Sequence, residues 1–257
     1  MKVSRPIQGE GTTGQTWQDW QGLSELGAVF FNDLLGAEQR LVVLAPHPDD
    51  EILACGGLLA CHAARGGVSL VVAVTDGEAS HQGVPTWNAD RLAERRRQES
   101  ARGLARLGLF SSNCPGIARL GLKDGGLAHC REQLVDSLGG QLAADDLVVS
   151  TWRCDGHPDH DAVGAAAVEV CTRVGCKLLQ APVWMWHWSR PGDSRVPWLR
   201  LHRLSLPASA VYAKTNALLA HASQLEARGG RGSQSLGPVL GRQIQERAGW
   251  TCEYYFL

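Results

Sequence analysis

Two clusters of histidine and aspartate carry the side chains of this chain that are best suited to chemistry. The first has the sequence His-Pro-Asp-Asp-Glu at 47–51 and directly follows the apolar run 41–45. That run predicts a buried parallel strand, and the residues after the cluster predict a helix. The three carboxylates beside this imidazole, at the carboxyl end of a strand, repel one another unless a cation or a shared proton is present. The cluster therefore predicts a metal site.

A second cluster with the same chemistry lies far along the chain. The apolar run 147–151 predicts another strand, and the sequence Asp-Gly-His-Pro-Asp-His-Asp follows at 155–161 before a predicted helix. Parallel strands end at one edge of a sheet, so we expect His47, Asp50 and His160 to meet there. Three protein ligands leave one coordination position open for water, which is typical of catalytic rather than structural zinc.

Several of these residues have alternative interpretations. Cys154, His157 and His160 are three residues apart, a spacing that could also bind zinc, although this would leave the first cluster without a cation. Asp49 and Asp159 each precede a predicted helix, so each could act as a helix N-cap. Glu51 falls in a first helical turn, where a negative charge is favourable for structural reasons alone.

The two clusters resemble the signature motifs of the PIG-L/LmbE-like family of zinc-dependent N-acetylglucosaminide deacetylases. Weaker matches follow in the family's order: Thr-Asp-Gly-Glu at 75–78, Arg-Arg-Gln-Glu at 96–99, Leu-Gly at 107–108, Leu-Lys-Asp-Gly at 122–125 and His-Ala-Ser-Gln at 221–224. The resemblance implies a hydrolase that removes the acetyl group from an N-acetylglucosamine unit. Its partner would be a small-molecule or glycoconjugate substrate that carries an N-acetyl amino sugar.

The resemblance also implies a division of labour among the clustered residues. It assigns His47, Asp50 and His160 to the metal, which would be Zn²⁺ or another divalent ion such as Fe²⁺. Asp49 would be the general base that takes a proton from the attacking water. His157 would stabilise the oxyanion or act as the acid for the leaving amine.

Further residues are assigned supporting roles. Asp159 would accept a hydrogen bond from a neighbouring histidine and thereby fix its tautomer. By resemblance, Arg96, Asp124 and, with a weaker match, Glu78 would contact the substrate. The arginine run at 95–97 otherwise predicts a solvated helix face, with one arginine turned toward the substrate.

The alternation of apolar strands with helical segments predicts an α/β fold. We expect a Rossmann-like three-layer sandwich, with a mostly parallel sheet flanked by helices. The predicted strands are 41–45, 68–75, 116–120, 146–151, 177–186 and 253–257, and the predicted helices are 51–65, 89–107, 128–142, 160–173 and 209–227. Residues 1–40 would form an N-terminal extension, helical at 23–35, and 41–257 a single PIG-L/LmbE-like deacetylase domain.

One tryptophan-rich segment has two interpretations. Trp184, Trp186 and Trp188 alternate, which predicts one face of a strand. Such a face could stack on sugar rings, but core packing or a subunit interface in a homo-oligomer is the favoured interpretation.

Composition excludes several other classes of protein. The 257 residues carry a formal net charge of −1, which argues against nucleic-acid binding. The polar N-terminus lacks the apolar centre of a signal peptide, and no apolar run is long enough for a membrane span. The eight cysteines are scattered, several within predicted helices, which indicates reduced thiols and a cytoplasmic protein.

Other functions remain to be weighed against a deacetylase. An amidase that cleaves a larger N-acyl group could use the same metal site. Two histidines and one carboxylate also describe non-haem iron oxygenases, but the βαβ pattern argues against them. A non-catalytic sugar- or metal-binding relative would be expected to lack the base, and Asp49 is present.

Overall fold

The computed structural model describes residues 7, 9–36, 38–81, 83–84, 87–109, 116–227 and 237–257. The strands are β1 Gly27–Val29, β2 Leu41–Ala45, β3 Ser69–Ala73, β4 Gly116–Arg119, β5 Leu147–Thr151, β6 Lys177–Ala181, β7 Leu201–Ser205 and β8 Cys252–Phe256. The helices are α1 Gly14–Gln18, α2 Gln21–Glu25, α3 Phe31–Leu34, α4 Asp50–Ala63, α5 Ala89–Arg106, α6 Arg131–Gly139, α7 Pro158–Val174, α8 Met185–Trp188, α9 Ala208–Leu218, α10 Ala222–Leu225 and α11 Arg242–Ala248.

The strands form one eight-stranded sheet in the order β1-β7-β8-β6-β5-β2-β3-β4. All pairs are parallel except those that β8 makes with β6 and β7. The apolar runs of β2, β3 and β5 are buried along their whole length, as expected for strands covered by helices on both faces. The prediction of an α/β fold with a mostly parallel sheet is confirmed.

The pairing of β2 with β5 decides where the two histidine clusters lie. The strands are parallel neighbours, with Leu41 opposite Leu147 and Leu44 opposite Ser150. Their carboxyl ends therefore lie side by side, and the β2–α4 and β5–α7 turns meet at that edge of the sheet.

The predicted strand 177–186 is wrong beyond Ala181. The chain leaves the sheet there, and residues 185–188 form the single turn α8. The carboxylate of Asp155 accepts the backbone N–H groups of Val183, Trp184 and Met185, each at 2.9 Å. These donors are therefore used by a side chain and not by a neighbouring strand, so the tryptophan alternation does not mark a strand face.

Two predicted helices are interrupted, and one is replaced. The segment 209–227 forms α9 and α10, and the segment 128–142 forms α6 after a short 3₁₀ turn, Leu127–His129. The segment 23–35 contains a strand between two short helices. That strand, β1, pairs in parallel with β7 at the edge of the sheet, so part of the predicted extension completes the sheet.

The helix after the first cluster has a kink that a distant side chain stabilises. Cys55 has φ −152° and ψ 26° inside α4. The second half of the helix then begins with free N–H groups, and the Glu253 carboxylate accepts those of Gly57 at 2.7 Å and Leu58 at 2.9 Å. Lys214 donates to the same carboxylate at 2.7 Å. Strand β8 and helix α9 are thereby tied to the helix that carries Asp50.

Tryptophan side chains attach the N-terminal segment to the rest of the fold. Trp17 is fully buried, and its Nε1 donates to the carbonyl oxygen of Trp186 at 2.9 Å. The two rings pack edge to face, with centroids 5.1 Å apart. Trp186 also contacts Trp250 and Tyr254. Within the described part of the chain, no helix combines the length and low polarity needed to cross a bilayer.

Candidate active site

The three side chains expected at a metal do converge. Oδ2 of Asp50 lies 3.2 Å from Nδ1 of His47 and 3.2 Å from Nε2 of His160. Two ligands at zinc distances from a tetrahedral ion are about 3.3 Å apart. The turns after β2 and β5 thus bring together the predicted set of two nitrogens and one carboxylate oxygen.

Carboxylates on the outer side of each imidazole orient the two histidines. Nε2 of His47 lies 3.2 Å from Oδ2 of Asp159 and 3.2 Å from Oδ1 of Asp124, and Nδ1 of His160 lies 2.8 Å from Oδ2 of Asp155. With the proton on each outer nitrogen, the inner nitrogens are left as ligand atoms. The neighbouring histidine that Asp159 contacts is therefore His47, and this contact can fix the tautomer of the His47 ring.

Asp155 is a site residue that the sequence did not reveal. It is fully buried, and it accepts both the His160 ring proton and the three N–H groups that begin α8. The only feature of the sequence that could have indicated this role is the position of Asp155, five residues before His160 in the same turn. That spacing cannot show which of several nearby carboxylates reaches the outer nitrogen.

The inner nitrogen of His160 fits a bound cation. His160 is fully buried, and among the described residues its Nε2 has no hydrogen-bond partner. Burial alone would raise the pKa of Asp50, but His160 and His47 hold it well below its usual value, so the carboxylate is anionic. Two imidazoles and a carboxylate form a donor set that suits zinc and similar divalent ions.

His157 is close enough to be considered as a further ligand. One ring nitrogen each of His47, His157 and His160 lies within 4.8 Å of the others. Nδ1 of His157 accepts the backbone N–H of Asp159 at 3.3 Å, so the proton of the neutral ring is on Nε2. Burial and the two neighbouring histidines lower the pKa of His157 to about 4. A neutral N–H donor facing the site suits an oxyanion better than a metal.

The Cys154 alternative is not assembled. Cys154 packs against the tryptophan-rich cluster around Trp17 and Trp186, and it lines a different pocket from the histidines.

Asp49 has an unusual backbone and a buried carboxylate. Its φ of 130° is the only positive value for a non-glycine residue in the described ranges. It occupies the N-cap position of α4, but its side chain makes no capping hydrogen bond. Oδ2 instead lies 3.1 Å from Nη2 of Arg96. Burial raises the pKa of Asp49 to about 7, with Arg96 acting in the opposite direction. The carboxylate is thus not a helix cap, and it is poised to exchange a proton near neutral pH.

Within the arginine run 95–97, Arg96 is the residue that turns inward toward the pocket. It is 3% exposed, and it donates to the carbonyl oxygens of Gly77 at 2.9 Å and Pro48 at 2.7 Å as well as to Asp49. A side chain on Gly77, where φ is 68°, would collide with this guanidinium. Arg95 and Arg97 point away and pair with Glu99 and Asp76. Arg96 therefore holds the turn of Asp49 in place.

A pocket of about 260 Å³ opens onto these groups. Its walls include Asp124, Arg96, Trp184, Gln224 and Leu240 beside the clustered histidines and aspartates. Glu78 does not line it; its Oε1 accepts the backbone N–H of Asp124 at 2.9 Å and so supports that loop.

Gln224 is a further pocket residue that received no role from the sequence. It is fully buried, and its Nε2 donates to Ser223 Oγ at 2.8 Å. Its Oε1 has no partner among the described residues, which leaves an acceptor for a ligand at the pocket wall. Its place in the matched segment 221–224 was the only sequence signal.

Comparison with known proteins agrees with this site. Residues 42–171 match the family described as PIG-L, GlcNAc-PI de-N-acetylase. A 1D-myo-inositol 2-acetamido-2-deoxy-alpha-D-glucopyranoside deacetylase from Mycobacterium sp. (strain KMS) is 30% identical over 254 residues, covering 79% of this chain and 80% of that protein. The enzyme of the same name from Corynebacterium diphtheriae is 41% identical over 83 residues, which span 30% of this chain and 28% of that protein. This chain belongs to the PIG-L family, and the predicted resemblance is confirmed.

Solved structures show the same fold at lower identity. The zinc-inhibited form of teicoplanin deacetylase Orf2 superposes with a TM-score of 0.62 at 18% identity, covering 85% of this chain and 97% of that one. The N,N'-diacetylchitobiose deacetylase from Pyrococcus horikoshii gives a TM-score of 0.53 at 19% identity, covering 71% and 69%. These similarities support the architecture of the sheet and its flanking helices.

Proposed function

We propose that this protein is a metal-dependent hydrolase that removes the acetyl group from an N-acetylglucosamine-type sugar of a glycolipid, glycoside or similar conjugate. The observation that carries the proposal is the convergence of His47, Asp50 and His160, with Asp49 and His157 beside them. Family membership and relatives named as deacetylases of N-acetyl amino sugars support the same reaction.

The proposed metal is Zn²⁺, held by His47, Asp50 and His160. When bound, such an ion supplies Lewis acidity toward a water molecule and toward an acyl carbonyl. Asp155 and the pair Asp124 and Asp159 keep the two imidazoles in the ligating tautomer. Among the described residues, His160 Nε2 is buried without a hydrogen-bond partner, which supports its assignment as a ligand atom.

Side chains beside the proposed metal site can perform separate steps of the amide hydrolysis. Asp49 takes a proton from the water whose oxygen attacks the acetyl carbon, and Arg96 keeps that carboxylate oriented. Nε2–H of His157 donates to the carbonyl oxygen as negative charge develops there. When the carbon–nitrogen bond breaks, the proton held by Asp49 passes to the leaving amine. Acetate and a free amino sugar result.

The pocket offers acceptors for sugar hydroxyl groups. Burial opposes ionisation of Asp124, but His47 lowers the pKa of this carboxyl to about 2, so it is an anionic acceptor. Oε1 of Gln224 is a second acceptor, and Trp184 supplies an apolar wall. We assign Asp124, Gln224 and Arg96 to substrate binding and Glu78 to support of the Asp124 loop.

The proposed compartment is the cytoplasm. All seven cysteines within the described residues are free thiols, including the buried Cys55 and Cys171. Free thiols persist in reducing compartments.

A substrate screen tests the proposed function. The metal-loaded protein is incubated with N-acetylglucosaminyl inositols, chitooligosaccharides and glycosides, and released acetate and free amine are both measured. A His160→Ala variant is the control, because it removes a metal ligand and leaves the proposed sugar contacts Asp124 and Gln224 in place. Release of a longer carboxylate from N-acyl analogues without acetate release would indicate the amidase instead. Metal-loaded protein that binds these compounds without turnover would contradict an enzymatic role.

A further inference from the structure

Arg247, on α11, is a buried arginine whose terminal nitrogens have no hydrogen-bond partner in the part of the chain that the structure describes. The residue is 9% exposed, and among the described residues neither Nη1 nor Nη2 has a hydrogen-bond acceptor. Burial lowers the pKa of Arg247 to about 10, which still leaves the guanidinium charged at neutral pH. An isolated buried charge is unfavourable, so this group requires a counter-charge.

Arg247 lines a small pocket whose other charged side chains are already paired. The pocket has a volume of about 40 Å³ and is bounded by parts of α4, α9, α11 and β8. Its other charged residues are Lys214 and Glu253, with Nζ and Oε1 2.7 Å apart. Glu253 also accepts two backbone N–H groups and the Tyr255 hydroxyl. Its carboxylate is therefore fully used, and the described lining leaves one positive charge unbalanced.

The nearest acidic groups outside the pocket do not bond to Arg247. Asp155 and Glu246 both exert a field on the guanidinium. Asp155, however, is used by His160 and by the backbone of 183–185, and Glu246 pairs with the exposed Arg242. Arg247 lines the pocket, so a counter-ion held there would lie beside its guanidinium.

We propose that the pocket at Arg247 binds a small monovalent anion, either a halide or a short carboxylate such as acetate. A single unbalanced charge favours a monovalent ligand, and the volume admits only a few atoms, since one water molecule needs about 10–15 Å³ of such space. The aromatic walls Trp186 and Trp250 lower the local dielectric constant, which strengthens attraction between the anion and the guanidinium.

The anion pocket lies directly behind the candidate active site but is separate from it. Leu53 lines both cavities, while Val183 faces the anion pocket and Trp184 the active-site pocket. Apart from Leu53 and Ala54, its walls come from outside the family match at 42–171. The inference does not rest on the proposed deacetylation, although acetate would be a product of that reaction.

Thermal unfolding of the metal-loaded protein at constant ionic strength is the first test. Sodium gluconate, whose anion is too large for the pocket, is replaced stepwise by sodium chloride, bromide or acetate. Above the dissociation constant, each tenfold increase in a bound anion should raise Tm by about 3–5 °C. Arg247→Gln should abolish that rise, and Arg102→Gln, which changes an exposed arginine on α5 outside the pocket, should preserve it. An equal rise in the Arg247→Gln variant would overturn the proposal.

Crystals of the unmodified protein soaked in bromide are the second test, and they decide the matter even if Arg247→Gln does not fold. We expect an anomalous peak within hydrogen-bond distance of Arg247 Nη1 or Nη2. Loss of that peak when acetate is added would identify a carboxylate as the preferred occupant. Persistence of the peak would identify a halide as the preferred occupant. Absence of any peak at Arg247 in bromide and of any new density there in acetate would refute the site, whatever the activity of the enzyme.

Discussion

Asp49 combines a strained backbone with a carboxylate that is held by an ion pair. Its backbone adopts φ 130°, a conformation that costs on the order of 1–3 kcal/mol for a non-glycine residue. Its N–H donates to Oε2 of Glu51 at 3.0 Å, and its carboxylate pairs with Arg96. These contacts hold the strained turn, and the strain turns the carboxylate away from the helix-capping position toward the cluster of histidines.

Asp49→Asn tests the base. An amide can still hydrogen-bond to water but cannot take its proton, so turnover should fall by about 10²–10⁴-fold with metal content unchanged. Steady-state kinetics and elemental analysis on the same preparation measure the two quantities. Near-normal turnover with full metal content would show that another group is the base.

Arg96→Gln tests the electrostatic role of the arginine. Arg96 opposes the rise in the Asp49 pKa, so its removal should raise that pKa further. Because the base must be deprotonated, the acid limb of kcat/KM, expected at or below about pH 7, should move to higher pH. Arg97→Gln, at a half-buried position of α5 that pairs with Asp76 and not with Asp49, is the matched control and should leave the limb in place. An unmoved limb in Arg96→Gln would rule out this coupling.

Metal content discriminates between the two ligand sets. Asp50→Ala should remove most of the metal because it deletes the only anionic donor of the proposed set, whereas Cys154→Ser should retain it. Elemental analysis of both variants after identical dialysis gives the answer. Retention by Asp50→Ala together with loss from Cys154→Ser would reverse the assignment.

At the scale of elements, one carboxylate connects three segments. Asp155 follows β5, and its carboxylate orients His160 at the start of α7. The same carboxylate accepts backbone N–H groups of the segment that leaves β6 and begins α8. The geometry of the proposed metal site therefore depends on where the chain leaves the sheet after Ala181. Glu253 of β8 stabilises the kink of α4 at Cys55, and it thereby connects β8 to the helix that carries Asp50.

Asp155→Asn should affect both metal binding and stability. The amide keeps the shape but loses the negative charge, so metal affinity should fall by about 10–100-fold. Loss of charge-assisted hydrogen bonds should also destabilise the fold by about 1–3 kcal/mol. Competition with a chelator measures the first effect and urea unfolding the second. Asp145→Asn, in an exposed turn, is the control, and equal behaviour of the two variants would contradict the role given to Asp155.

At the scale of the whole molecule, the residues before β2 are integrated into the fold. β1 extends the sheet beside β7, and Trp17 inserts into a cluster formed by α8, β8 and the loop before β8. The N-terminal segment therefore supports elements that follow the family match at 42–171 in the chain. The division into an N-terminal extension, 1–40, and a single domain, 41–257, stays a prediction.

Trp17→Ala measures how much this integration stabilises the protein. Truncation of a fully buried tryptophan should reduce the free energy of unfolding by about 3–5 kcal/mol. Phe30→Ala removes a side chain that is 68% exposed and should change it by about 0.5 kcal/mol or less. Urea unfolding of both variants gives the comparison. Similar stability losses would mean that the N-terminal segment is not held by Trp17.

The sequence by itself determined the features that depend on local order along the chain. The apolar runs at 41–45 and 147–151 predicted two of the central strands, because a strand buried on both faces must be apolar throughout. The two His-Pro-Asp turns predicted a shared site, since parallel strands bring their carboxyl ends to one edge. The family and the mostly parallel α/β fold followed from these motifs.

Only the tertiary structure decided the features that depend on which distant groups meet. Arg96 is chemically equivalent to Arg95 and Arg97 in sequence, and it is buried because its position on α5 faces the Asp49 turn. The segment after Ala181 alternates like a strand, but the Asp155 carboxylate takes its N–H groups and starts a helical turn. A hydrogen bond or an ion pair between residues remote in sequence leaves no local pattern. That is why the Asp155–His160 contact, the Arg96–Asp49 pair and the pocket at Arg247 were visible only in the folded chain.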